Sequence, residues 1–186
     1  MKRSTVIVLV IFLAMVGLLF YLNQKESKAN EVAVDITPSA VTEFLLSASD
    51  GLPTRIDIKS QSGEQVVISR NDAGVWVLEK PIETEADQAS AQEAATQLSS
   101  LRIESRLEVP PEAAGLVQPS YTMTIELSGG TVKTVRIGDL TPTEIGYYAQ
   151  VEGNNDTLII NRSGTEALLM LLESPPVLEP TPTIVP

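Results

Sequence analysis

Residues 5–22, TVIVLVIFLAMVGLLFYL, run without a charged residue or a proline. At about 1.5 Å of rise per helical residue this stretch reaches ~27 Å, close to the hydrocarbon thickness of a bilayer. A core helix of a water-soluble fold would carry a polar face, and no strongly polar residue interrupts this run. The pattern predicts a transmembrane helix. A removable leader has an apolar region of about 7–15 residues followed by a small-x-small site. Here the run closes on Leu18, Leu19, Phe20, Tyr21 and Leu22, bulky residues where cleavage needs small ones. Ser27-Lys28-Ala29 has the small-x-small form, but several polar residues separate it from the apolar run. The expectation is an uncleaved, single-pass anchor to the lipid bilayer.

Lys2 and Arg3 precede the anchor and Lys25 and Lys28 follow it, so the nearby basic residues tie. Orientation rests instead on a short basic head and a long acidic body, which fit a cytoplasmic N-terminus and an extracytoplasmic domain in the cell membrane. Beyond the anchor stand 24 acidic and 11 basic residues. Such a surface repels phosphate backbones, so nucleic acid is not an expected partner. The chain has no cysteine and no histidine. That removes disulfides, thiol nucleophiles, thiolate zinc sites, a lipid-bearing cysteine and the usual general base near neutral pH. No cofactor is expected. The organisation read from the sequence is a cytoplasmic head at 1–4, the anchor at 5–22, a polar spacer at 23–40, a domain at 41–173 and a proline-rich tail at 174–186.

Within the domain, Thr37-Pro38 followed by Val41, Phe44 and Leu45 has the start signal and spacing of a helix, with a short strand over 41–46 as the alternative. Three antiparallel strands follow at 54–59, 65–70 and 75–78, punctuated by Ser62-Gly63 and by Asn71-Asp72-Ala73-Gly74, and Pro81 ends the last. Thr84 with Asp87 reads as a variant capping box for a helix whose apolar face is Ala91, Ala94, Ala95, Leu98 and Leu101. A connector is expected over 106–119. Strands at 121–127 and 131–137, a hairpin of 147–151 with 157–160, and a helix from Ser163 with Ala167, Leu168, Leu171 and Leu172 inward complete the reading. The fold class is therefore α+β, antiparallel sheets built from two β-β-β-α-like units and preceded by one transmembrane helix. Ser62 and Ser128 close corresponding hairpins in the two units, and the second inserts an extra strand at 157–160.

Trp76-Val77-Leu78 followed by Pro81 and an acidic-start helix resembles the recurring feature of a bacterial family known as domain of unknown function 4340 (DUF4340). Gly115-Leu116-x-x-Pro119, Ile137-Gly138-Asp139 and Gly146-Tyr147-Tyr148-Ala149 continue the resemblance over about residues 54–172. The resemblance implies an α+β domain tethered to the bacterial envelope, with an accessory role beside an ABC-type transport system and membrane proteins as partners. It carries no catalytic residues over to this chain. The family often has further copies of the unit, so a partner surface on those copies would be missing here.

The most site-like cluster is Asp139 with Tyr147 and Tyr148, where an acid and two aromatics near Gly138 could line a shallow binding edge. Against it stands a purely structural arrangement, with Gly138 permitting a turn or bulge and one tyrosine packed. Glu152, Asn154, Asn155 and Asp156 offer oxygens of the kind calcium takes, but their spacing is not that of an EF-hand, and Asn-Asp clusters are common in hairpin turns. Trp76, between strand residues, reads as core. Glu83/Glu85 and Glu108/Glu112 lack the aromatic cleft of a glycosidase. No catalytic residue and no metal ligand is assigned. The expected function is a non-enzymatic, membrane-tethered interaction or accessory domain. The alternatives are a cell-surface carboxylate-dependent enzyme, a calcium-linked glycan-binding module, or a plain spacer.

Overall fold

Alternating apolar residues build one antiparallel sheet of ten strands in a computed structural model that describes residues 42–178. The predicted transmembrane helix, the spacer and the end of the tail lie outside the described residues. Among the described residues no helix is long and apolar enough to cross a membrane.

In chain order the elements are β1 (Glu43–Phe44), β2 (Pro53–Ser60), β3 (Gln65–Arg70), β4 (Trp76–Lys80), β5 (Thr84–Glu85), α1 (Gln88–Ser99), β6 (Arg102–Leu107), β7 (Tyr121–Leu127), β8 (Val132–Leu140), β9 (Gly146–Val151), β10 (Thr157–Asn161) and α2 (Arg162–Glu173). Across the sheet they run β1-β6-β10-β9-β8-β7-β2-β3-β4-β5. The fold is α+β, with both helices on one face. Ala91, Leu98, Leu168 and Leu171 share a core with Ile56, Ile58, Met123 and Val135. Burying each large aliphatic side chain there contributes about 1.5–3 kcal/mol.

The sheet is one body with an internal pseudo-twofold through the β2–β7 pair. β2-β3-β4-β5-α1 on one side repeats as β7-β8-β9-β10-α2 on the other. The first hairpins match in their backbone hydrogen bonds. Ser60 N–H bonds Glu64 O as Leu127 N–H bonds Thr131 O, and the N–H groups of Gly63 and Gly130 return to Ser60 O and Leu127 O. Both glycines take positive φ, 98° and 77°. The equivalent positions are thus Gly63 and Gly130, one residue off the match suggested by Ser62 and Ser128. The helices correspond as well. Asp87 caps α1 through Ser90 N–H, and Asn161 caps α2 through Gly164 N–H. The segment leaving each helix then pairs with the opposite half, Ile103 with Ile160 and Val177 with Ala86.

Four expectations change. The region expected as a helix after Thr37 is, in its described part, the strand β1 followed by a 3-10 turn at Ala48–Asp50, because Leu45 N–H bonds Leu101 O and ties the segment to the sheet end. Thr84 belongs to β5, and α1 starts three residues later than expected, since Asp87 is the cap. β5 also shows that the strand at 157–160 is no insertion, because each half has four strands. Finally, β6 is a strand the sequence does not predict; it spans residues 102–107 and reaches two residues into the connector expected at 106–119. Its Arg-Ile-Glu-Ser-Arg-Leu alternation leaves no residue fully buried, yet it is held between β1 and β10. The tail begins in order, with Asp87 N–H bonding Pro176 O.

The 3-10 turn closes the end of the core, where Lys133 Nζ donates to Asp50 Oδ2 at 2.5 Å. That bond, with the Ser47 N–H second, holds the Asp50 carboxyl below its ordinary value. A depressed carboxylate stabilises the fold above its unfolded pKa of ~3.9 and loses that contribution as pH falls through the folded value. Lys133→Met should be less stable than the parent at neutral pH, with the gap narrowing below pH ~3.9 in urea titrations run across pH. A gap independent of pH would contradict the assignment.

Candidate functional site

The structure separates the three residues of the expected cluster. Successive strand residues point to opposite sheet faces. Tyr147, opposite Ile160 and Leu140, therefore lies on the helix side, and Tyr148, opposite Ile159, lies on the other. Asp139 is exposed at the β8 bulge, where it abuts Gly115 of the connector. That connector crosses the outer face, with Ala114 and Leu116 fully buried beneath it. A Cβ on Gly138 would stand 2.1 Å from Ala114 O. Gly138 is a glycine because another backbone passes over it. Asp139 thus meets the connector, Tyr148 lies on the outer face, and Tyr147 lines a recess on the helix side.

Other candidates have the following places in the fold. Trp76 is 2% exposed. Asp156 N–H bonds Asn154 Oδ1 at 3.0 Å in the β9–β10 turn, and Asp156 pairs with Arg106 at 3.0 Å. Glu85 stands in β5 opposite Val77. Among the described residues no three potential metal ligands of the His, Cys, Asp or Glu type gather at one point.

Two recesses flank α2 and meet at Met170. One, about 270 Å³, lies between the helices, with Ala94, Ala167 and Leu171 among its apolar walls and Glu93 at its rim. The other, about 360 Å³, lies between α2 and the sheet, lined by Tyr121, Tyr147 and Leu169 with Glu64, Glu166 and Glu173 around them. Met170 is 61% exposed on the ridge between the two. The cause is in the sequence. Residues 167–172, Ala-Leu-Leu-Met-Leu-Leu, are apolar around the whole helix, whereas covering one face of a sheet needs only a stripe. Leu168 and Leu171 fill the core, Leu169 and Leu172 are half-buried, and Ala167 and Met170 are left outside. Ala167, expected inward, is thus on the exposed side.

Counted from the two helix caps, Tyr147 stands where Trp76 stands in the first half, since Ile160 pairs with Tyr147 as Ala86 N–H bonds Trp76 O, and Glu166 stands where Gln92 does. Trp76 Nε1–H donates to Gln92 Oε1 at 3.4 Å, and Tyr147 O–H donates to Glu166 Oε1 at 3.5 Å. In the first half the Arg70 guanidinium lies 4.7 Å from the indole centroid and also bonds Gln92, which seals the place. In the second half Leu140 occupies the register position of Arg70, the ring is smaller, and the recess stays open. Burial, then the Glu166 charge, raises the Tyr147 pKa, so the phenol stays protonated near neutrality. Arg162 Nε holds Glu166 at 2.8 Å and its Nη1 holds Glu144 at 2.8 Å. The site offers apolar area, two phenols and carboxylates, which suit binding.

Met170, Tyr121 and the glutamates around them are absent from the sequence-derived cluster. The unbroken apolar run in α2 was the available signal, since it exceeds what one buried stripe can use.

Residues 76–173 match a family model described as a domain of unknown function (DUF4340). No curated protein and no solved structure matches the chain. Gly138→Ala should cost about 1–3 kcal/mol through the clash with the connector. Asp139→Asn, next to it in β8 but exposed, should change stability by less than ~0.5 kcal/mol. Paired urea denaturations check both, and equal effects would contradict the proposed role of Gly138.

Proposed function

The chain belongs to the DUF4340 family, and on that premise we propose that it is a membrane-tethered interaction domain. Residues 5–22 hold the folded body at the outer surface of the cell membrane, and that body acts by binding as an accessory component, with a membrane transport assembly of the ABC type as its setting. The observation that carries this reading is the side of α2 left apolar and uncovered around Met170. An exposed apolar ridge between two recesses and rimmed by polar groups favours docking of a protein partner. The acidic balance beyond the anchor supports a protein partner over nucleic acid or anionic headgroups. The absence of histidine and cysteine from the sequence supports a binding role over catalysis by those side chains.

A second reading, a surface carboxylate-dependent enzyme or calcium-linked glycan binder, draws on the glutamates and tyrosines of the sheet-side recess. Glu166 is engaged by Arg162, and Glu64 accepts from Ser62 Oγ at 3.2 Å, so two of its carboxylates already have partners. That weighs toward the first reading.

Two measurements test the proposal. The chain should stay with membranes through alkaline carbonate extraction, and protease added outside intact cells should degrade the domain while cytoplasmic controls survive. Mild crosslinking and solubilisation should then recover a stable stoichiometric partner. Protection of the domain in intact cells, or recovery of the chain alone, would overturn the proposal.

A further inference from the structure

We propose that the Met170 face of α2 receives a basic amphipathic helix of a partner protein. The inference rests on the interaction-domain reading and specifies its partner by chemistry. Four observations converge. The face is apolar along its centre, through Ala167, Met170 and the half-buried Leu169 and Leu172. It is grooved on both sides of that ridge, by one recess against α1 and one against the sheet. α2 has twelve residues, or about 18 Å of length, which suits three or more turns of an opposing helix.

The fourth observation selects the occupant. Glu64, Glu93, Glu166 and Glu173 stand around the two recesses, and no lysine or arginine lines either. Glu166 is neutralised by Arg162, whereas Glu64, Glu93 and Glu173 have no salt-bridge partner among the described residues. Placing a second copy of this surface here would set like charges against one another across the apolar ridge. An anionic lipid surface would be repelled in the same way. A helix with one apolar stripe flanked by lysine or arginine satisfies both halves of the surface, filling the grooves while its charges face the glutamates. Met170 suits this role, because an unbranched thioether adapts to the shape of an incoming side chain.

The departure from internal symmetry points to the same place. The first half closes the equivalent position with Trp76 and Arg70, a cation supplied from its own chain. In the second half Tyr147 and Glu166 stand at these places, Leu140 takes the register position of Arg70, and the cation on Glu166 is Arg162. Among the described residues no cation lies over the Tyr147 ring as Arg70 lies over Trp76, and the partner's basic side chain takes that place.

The chain has four methionines, two of which, Met123 and Met170, lie in the described domain. Met123 is fully buried and serves as the internal control. The full chain, labelled with ¹³C at its methionine methyl groups and held in nanodiscs of uncharged lipid, is titrated with a leucine–lysine amphipathic peptide of about 18 residues, longer than α2. A leucine–glutamate peptide of the same pattern is run in parallel. The Met170 methyl should shift saturably with the lysine peptide only, and Met123 should not move. Glu93→Lys with Glu173→Lys should weaken that binding at least tenfold while Met123 reports an intact fold. Raising salt should weaken it further, as expected for exposed charges. An equal response to both peptides, or a response to the glutamate peptide alone, would overturn the basic partner and leave the interaction reading standing. A Met170 shift on concentrating the chain alone would overturn it in favour of self-pairing. Silence toward both peptides would overturn this inference, while the crosslinking recovery above decides the wider reading on its own.

Discussion

The antiparallel pairing of β2 with β7 carries the rest of the structure. Its register runs from Pro53 opposite Leu127 to Ser60 opposite Tyr121, and it joins two half-sheets that would each otherwise end in an open edge. The pairing places Ile56 beside Ile125 and Ile58 beside Met123, all on the helix side, so the two halves share one core. α1 packs on β2 and β4 of its own half, α2 packs on β9 and β10 of its own half and on β2 and β3 across the seam, and the chain after each helix completes the far edge of the other half. β6 does this for β10, and Val177 does it for β5 through Ala86.

Near-symmetry makes the differences informative. The two caps, the two first hairpins and the two post-helix pairings correspond closely, as they must for both halves to close. The aromatic positions do not. Trp76 is sealed by Arg70 and Gln92, and Tyr147 is left beside an open recess with Glu166. α1 presents alanines inward and polar residues outward, whereas the apolar residues of α2 continue onto its outer side. The second half therefore carries surface that the packing of the sheet does not require. The outer sheet face behaves differently, since the connector covers β8 at Gly138 and ion pairs such as Arg55 with Glu79 and Glu126 occupy β2 and its neighbours.

Strands with clean alternation were legible from the sequence. Tyr121–Leu127 is observed at its expected bounds, and the inward residues of α1, Ala91, Ala94, Ala95 and Leu98, are all buried. Elements held by distant partners were not legible. β5 is two residues long and β6 alternates without a buried residue, so each exists only because a neighbouring strand supplies its hydrogen bonds. Asp139, Tyr147 and Tyr148 are close in sequence but part company in space, because strand alternation sends the two tyrosines to opposite faces and a bulge turns the aspartate toward Gly115. The recess could not be read locally either. Glu64, Tyr121, Tyr147 and Glu173 come from a turn and three elements and meet only through the sheet order.

The central claim is that the helix side around Met170 is the working surface of a tethered binding domain. Hydrogen exchange read by mass spectrometry, comparing the chain in native membranes with the purified chain, tests it most directly. The account predicts slower exchange in membranes confined to α2 and the β2–β3 turn that carries Glu64, with the outer-face connector unchanged. Slower exchange confined to that connector, or identical exchange in both settings, would contradict it.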